Sequence, residues 1–243
     1  MLLIVLLLAL SAKASSASLP IEYENQFAAI SALIQSKRLD AASDRIERLI
    51  EEAGKFPEVL ELQALILGAQ GSMAEAMKIY EQLIELRASD GVVAVAPYHY
   101  ELAVAAFKKE EFSSAQAHFI ESIKGRFNTD CSNLYLGRIR LREGNFEQAR
   151  DHFANALETQ SPEILLPARL YLAHSETKLN NRLAAQRNYA AAFDITTAIL
   201  SDGGAEPSTQ KLATDALKQM KQLSAGTVGS TVVSNVGIYG TYD

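Results

Sequence analysis

The sequence predicts an all-α protein, an array of about five helical hairpins closed by a single helix and followed by a short tail of different character. Three observations carry this. Shifting the chain by 34 residues superposes Leu102 on Leu136, Phe112 on Phe146, Ala115 on Ala149 and Phe119 on Phe153. A small residue recurs at Ala42, Ala76, Ala115, Ala149 and Ala185, as required where two helices cross closely and a larger side chain would push them apart. The composition is that of a chain with a sizeable core, 48% hydrophobic and 21% charged with only 13 Gly and 6 Pro in 243 residues.

The chain opens on a wholly apolar run, Leu2 to Leu10, followed by Ser11-Ala12-Lys13-Ala14-Ser15-Ser16-Ala17. About ten helical residues cover about 15 Å, roughly half of a bilayer's hydrocarbon core, so the run is too short to span. Small residues at the spacing a signal peptidase accepts make residues 1–17 a signal peptide, cut after Ala14 or Ala17; no Lys or Arg precedes the run. A short buried N-terminal helix is the alternative. Export would place the chain in a bacterial periplasm or in association with the outer membrane.

Residues 18–224 hold the array. The first unit counts from Tyr23, with Leu39, Ala42 and Ile46 packing its second helix. The second begins near Pro57, turns at Gly71-Ser72 and places Ala76 and Tyr80 at 34 residues from Ala42 and Ile46. Between Ala76 and Ala115 the spacing is 39, and the five extra residues are assigned to a loop over Ala88-Ser89-Asp90-Gly91-Val92-Val93, before Pro97. Units three and four start near Ala96 and Asp130. The fifth has Leu172-Ala173 in place of Leu136-Gly137, then Ala185 and Tyr189 displaced by 36, with two residues added around Ser161-Pro162. Asn180-Asn181 supplies its tight turn, Asn tolerating positive φ. Pro207 to Ser224 reads as a capping helix with Ser208 at its N-cap and an apolar stripe of Leu212, Ala216, Met220 and Leu223.

These positions resemble the tetratricopeptide repeat (TPR), a helix-turn-helix unit of 34 residues. Leu136-Gly137, Gly144, Phe146, Ala149, Phe153 and Ala156 carry the likeness most fully. The departures are the absence of Trp, the places of a late first-helix aromatic held by Leu33, Leu67, Ala106, Arg140 and Glu176, and a displaced or missing closing proline. The resemblance implies a right-handed α-solenoid that binds a protein or peptide partner in a groove lined by first helices. In family members the second, fifth, ninth, twelfth and thirteenth residues of each unit face that groove. Carried over, they are Phe27, Ser31, Ile34, Glu61 and Leu65 in units one and two. Units three to five contribute Tyr100, Val104, Phe107, Lys108, Leu134, Arg138, Leu141, Arg142, Leu170, His174 and Lys178. Tyr100, Phe107, Lys108, Leu134, Arg138, Arg142, His174 and Lys178 are the candidate partner-binding set, a basic and aromatic wall suited to an extended, partly acidic peptide. A basic face that only keeps the array soluble is the competing reading.

From Ala225 the composition turns to Gly, Ser, Thr, Val and Tyr. Val228, Val232, Val236, Ile238 and Tyr242 share one parity, the period of a β-strand. The ending Gly237-Ile238-Tyr239-Gly240-Thr241-Tyr242 resembles the first barrel strand of outer-membrane proteins with a TPR periplasmic domain, namely surface-lipoprotein assembly modifiers and polysaccharide-export porins. That likeness implies a truncated or split member of an outer-membrane secretion or export system; a flexible tail over 225–243 is the other reading.

No glycine-rich phosphate loop, metal-spaced Cys/His set or nucleophile motif is present, which points to a non-enzymatic protein without cofactor or metal. His118 and His152, 34 apart and flanking Phe119 and Phe153, read as boundary residues of helix packing rather than ligands. A net charge of −6 without a basic block argues against nucleic acid as partner. Cys131, the single cysteine, reads as a buried small hydrophobe.

Overall fold

The computed structural model describes residues 19–202 and 206–224. The signal-peptide reading of 1–17 and the barrel-strand reading of 225–243 lie outside them. Eleven α-helices are found among the described residues: α1 (Glu24–Gln35), α2 (Leu39–Ala53), α3 (Pro57–Ala69), α4 (Met73–Leu86), α5 (Val92–Lys108), α6 (Phe112–Lys124), α7 (Thr129–Arg142), α8 (Phe146–Asn155), α9 (Pro162–Lys178), α10 (Arg182–Ser201) and α11 (Pro207–Ser224). The fold class is all-α, the repeated helical hairpin that the sequence predicts, with five helix pairs and a last single helix among the described residues. Two compact units divide after Asn128, inside the stretch that the sequence presents as one array.

The repeat register is written in the backbone. Each pair turns through one residue of positive φ: Lys37 (58°), Gly71 (85°), Glu110 (61°), Gly144 (77°) and Asn180 (60°). In every turn the next amide donates back to a carbonyl near the end of the first helix, from Arg38 to Leu33 O, Ser72 to Leu67 O, Glu111 to Ala106 O, Asn145 to Arg140 O and Asn181 to Glu176 O, at 2.8–2.9 Å. This is a Schellman closure, which satisfies carbonyls that would otherwise be orphaned at the helix end. The five acceptors are the five places where the family's late aromatic is missing. At each of these places the turn is closed by its backbone bonds.

In the first unit, α3 shows why a first helix is apolar all round. Val59, Leu62 and Ile66 join Ile30, Ile34, Ile46 and Leu49 in one cluster, while Leu60 and Ala64 join Ala76, Tyr80, Leu83 and Tyr98 in the next. A helix packed on two opposite faces cannot carry a polar stripe on either. Each of its fully buried aliphatic side chains contributes on the order of 1.5–3 kcal/mol.

The second unit repeats the scheme. Ala149, Phe153 and Ala156 pack with Leu134, Ala168 and Tyr171, and Cys131 lies against them, half-buried rather than enclosed. Leu166 and Leu170 pack with Ala192, Ile199, Ala213 and Ala216. The crossing residues behave as the spacing requires: Ala42, Ala76, Ala115 and Ala149 are fully buried and Ala185 is 5% exposed. At α11, Thr209 donates to Glu163 Oε1 at 2.7 Å, and Ser161 donates to the other oxygen at 2.6 Å. This ties the closing helix to the start of α9.

Two local expectations are corrected. The five extra residues do not form a loop over 88–93. A 3-10 turn takes up Ala88–Asp90, and α5 begins at Val92, so Val93 and Pro97 are helical. Pro97 sits at the sixth helical position, as Pro167 does in the equally long α9. There, close to the N-terminus, the missing amide removes only one intrahelical bond. Likewise α11 starts at Pro207, which places Ser208 inside the first turn rather than at the N-cap.

Candidate functional site: a basic face of first helices

The sequence-derived candidates fall in both units. In the first, Tyr100 is no wall residue. It is 4% exposed and packs edge-on to Phe119 and Phe127 at 6.1 and 5.8 Å. Phe107 is half-buried, edge-on to Phe112 at 5.6 Å. Lys108 is exposed, and its charge acts on Glu101, two turns earlier on α5. Burial dominates at Glu101, raising its carboxyl to about 7 against the pull of Lys108.

Ser31 and Ile34 are buried as well, the Ser31 hydroxyl donating to Phe27 O at 3.0 Å. Glu61, also expected on the wall, is drawn inside. Tyr98 OH donates to its carboxylate, as does Arg87 Nη1 at 3.1 Å; Arg87 also donates to Tyr98 OH at 2.8 Å and, through Nε, to Asp90 at 3.2 Å. Burial still holds the Glu61 carboxyl above the ordinary range, against the hydrogen bond from Tyr98 and the charge of Arg87. This network clips α3, the end of α4 and α5 together around the residues that break the 34-residue period. Nothing in the spacing announced it, because its members come from separate elements.

In the second unit, Leu134 is 4% exposed and belongs to the core beside Phe153 and Tyr171. Arg138 is half-buried, its guanidinium carbon 5.3 Å from the centre of the Tyr135 ring, a cation–π contact. Arg142, one turn further along α7, is exposed. On α9, His174 and Lys178 repeat that spacing 36 residues later, and the two first helices are in contact. Lys178 is exposed and His174 half-buried. Burial, helped by the charge of Lys178, lowers the His174 imidazole to about 4. At neutral pH it is uncharged and adds a hydrogen-bonding ring rather than a cation to the row of Arg138, Arg142 and Lys178.

The repeat also aligns a polar pair that the sequence did not flag, two residues 19 apart that bridge the helices of a hairpin. His99 Nδ1 lies 2.9 Å from His118 Nδ1, His152 Nδ1 lies 3.0 Å from Asn133 Oδ1, and Arg169 donates to Asn188 at 2.8 Å. His118 and His152 are thus equivalent by register but have different partners. Burial lowers the proton affinity of His99, His118 and His152 alike; the charge of His118 adds to the effect at His99, and that of Arg140 adds to it at His152. Polar residues at both ends of a 19-residue interval, recurring with the period, would have been the signal. Among the described residues no three His, Cys, Asp or Glu side chains converge to hold a metal ion, and no helix is long and apolar enough to cross a membrane.

Among the described residues the fold defines the class, a series of helical hairpins that carries Arg138, Arg142 and Lys178 on two first helices in contact. The tetratricopeptide repeat family model matches residues 57–90. This is the second repeat, at the boundaries read from the sequence, and not the third or fourth repeat, whose mutual identities set the period. The fold is shared with solved structures at low identity. "MamA RS-1 ArsTM double mutant" has 12% identity and a TM-score of 0.63, over 76% of this chain and 100% of that one. "MamA MSR-1 C2" has 16% identity and a TM-score of 0.55, over 74% and 99%. No curated protein sequence matches.

Proposed function

We propose that the protein is a non-enzymatic binding scaffold whose second unit captures an extended acidic segment of a partner protein. The observation that carries this is the row Arg138, Arg142 and Lys178 on two adjacent first helices, in a chain whose net charge is −6. Cations gathered on one face against the overall charge favour an acidic ligand and steer its approach. The Tyr135 ring lies against one of them. The Phe107 and Lys108 pair of the first unit is a separate, smaller contact surface.

The test is the double substitution Arg138→Glu with Arg142→Glu. Partners recovered by cross-linking to the native protein and identified by mass spectrometry are expected to be lost, while far-ultraviolet circular dichroism still shows a folded helical chain. Unchanged recovery would refute the assignment. The same proposal places the scaffold in the cell envelope, supported by the apolar Leu2 to Leu10 run and the Ala12-Lys13-Ala14 site that follows. Residues Met1 to Ser18 fused to a reporter active only outside the cytoplasm are expected to export it.

A further inference from the structure

Three large apolar side chains stand exposed on one helix, α10: Leu183 at 62%, Phe193 at 49% and Leu200 at 42%. With Gln186, Ala190 and Thr197, exposed as well, they form a row at intervals of 3, 4, 3, 4 and 3 residues. That is the spacing of the seam along which two helices pack on each other, and the row runs for about 26 Å. The one hydroxyl in it is satisfied at home, Thr197 donating to Phe193 O at 2.9 Å.

The repeat shows what this face lacks. Eight residues after each crossing alanine stands an apolar side chain, in turn Ile50, Ile84, Ile123, Leu157 and Phe193. The first four are half-buried, and Ile50, Ile84 and Leu157 pack on clusters that include side chains of the following first helix. Phe193 stays exposed although α11 follows it. At 20 residues α10 is also longer than the other second helices, which have 10 to 15, and the added length carries Thr197 and Leu200. An apolar face of this kind, rimmed by polar residues, marks a contact surface.

Charge selects the occupant. Between Leu183 and Leu200 the only charges are Arg187 and Asp194, seven residues apart on one flank of the row and both exposed. Neither is ion-paired among the described residues. We infer that this row is the interface of a twofold dimer, in which α10 packs antiparallel on α10 of a second copy. A twofold axis crossing the row between Ala190 and Phe193 brings the same patch of both copies together with the helix direction reversed. Leu183 then meets the partner's Leu200, Gln186 meets the partner's Thr197, and the Phe193 ring lies over the partner's Ala190, large against small. Arg187 falls beside the partner's Asp194, and by symmetry Asp194 falls beside the partner's Arg187. Two ion pairs close at once. In a parallel pair Arg187 would stand level with the partner's Arg187, and Asp194 with the partner's Asp194, so the charges choose the antiparallel arrangement.

A single helix pair is an interface at the low end of specific ones, below about 1,200 Å², and dissociation in the micromolar range is expected. Sedimentation equilibrium of the full chain over about 1–200 μM should therefore show monomer and dimer in exchange. Phe193→Glu should raise the dissociation constant at least about tenfold. Arg187→Glu and Asp194→Arg should each raise it at least about fivefold, because each sets like charges opposite one another at two places. Mixed in equal amounts, those two charge variants should associate with each other about as tightly as the native chain does, since every opposed pair then carries opposite signs. All three positions are exposed, so circular dichroism should be unchanged in each variant. A chain that stays monomeric throughout, leaving the face to a different partner, would overturn the inference. So would a dimer indifferent to Phe193→Glu, or an equimolar mixture that associates no more tightly than either charge variant alone.

Discussion

Placing a single methyl group at Gly137 tests how tightly the hairpin seam is built. A Cβ there would lie 2.5, 2.6 and 2.9 Å from Cε1, Cδ1 and Cζ of Phe153. Restoring ordinary contact means moving the ring by nearly an ångström, and Phe153 has no slack. It is fully buried and stacked on Tyr171 with 5.2 Å between centroids at 15°. Overpacking a well-filled core costs about 1–3 kcal/mol, whereas replacing an interior helical glycine by alanine returns about 1 kcal/mol of propensity. Gly137→Ala is therefore expected to destabilise the second unit by about 1 kcal/mol net. In urea unfolding followed by circular dichroism, the midpoint should fall by about 0.3–1 M. Shrinking the ring should relieve the conflict, so the double variant with Phe153→Leu should be more stable than the two single effects predict by at least about 0.5 kcal/mol. A Gly137→Ala protein more stable than wild type by the full propensity gain would show that the ring yields freely, and the close-packed crossing would lose its support.

The turns offer a pair of opposite signs at one register position. Gly144→Ala forces a side chain into positive φ and should cost about 1 kcal/mol, while Glu110→Gly removes that strain and should gain somewhat less, once the freer unfolded chain is counted; thermal melts of the two variants check the order. The pH dependence should differ between units. Glu101, raised to about 7 by burial, binds a proton in the folded state that the unfolded chain has released, so its unit loses stability as pH rises from about 4.5 to 7. The full shift corresponds to about 3 kcal/mol, tempered to about 2 because the residue is partly exposed, and Glu101→Gln should flatten the profile. His174, lowered to about 4, acts the other way, its unit losing stability as pH falls from 6.5 toward 4, an effect that His174→Gln should remove. Hydrogen exchange resolved by helix separates the two.

Local rules made the hairpins legible. Period, crossing alanines and turn residues act between neighbours in sequence, and each can be counted along the chain. The candidate wall was less legible. The family's inward positions were carried over by counting, yet Tyr100, Leu134, Ser31 and Ile34 are buried in packing, and Glu61 is consumed by Tyr98 and Arg87. Counting fixes which way a side chain leaves its own helix. It does not say whether the next helix already stands there.

By itself the sequence determined the number of hairpins, their turns, the alanines at the crossings and the charge pattern of each first helix, because these follow from spacing within about one repeat. Only the tertiary structure decided that the long α5 absorbs the extra residues through the Arg87 network and that His118 meets a second histidine while His152 meets an asparagine. It also decided that His174 stands uncharged beside Lys178. Those outcomes depend on burial and on partners brought together from separate helices, and the energies of charge and hydrogen bonding are set by that company rather than by position along the chain.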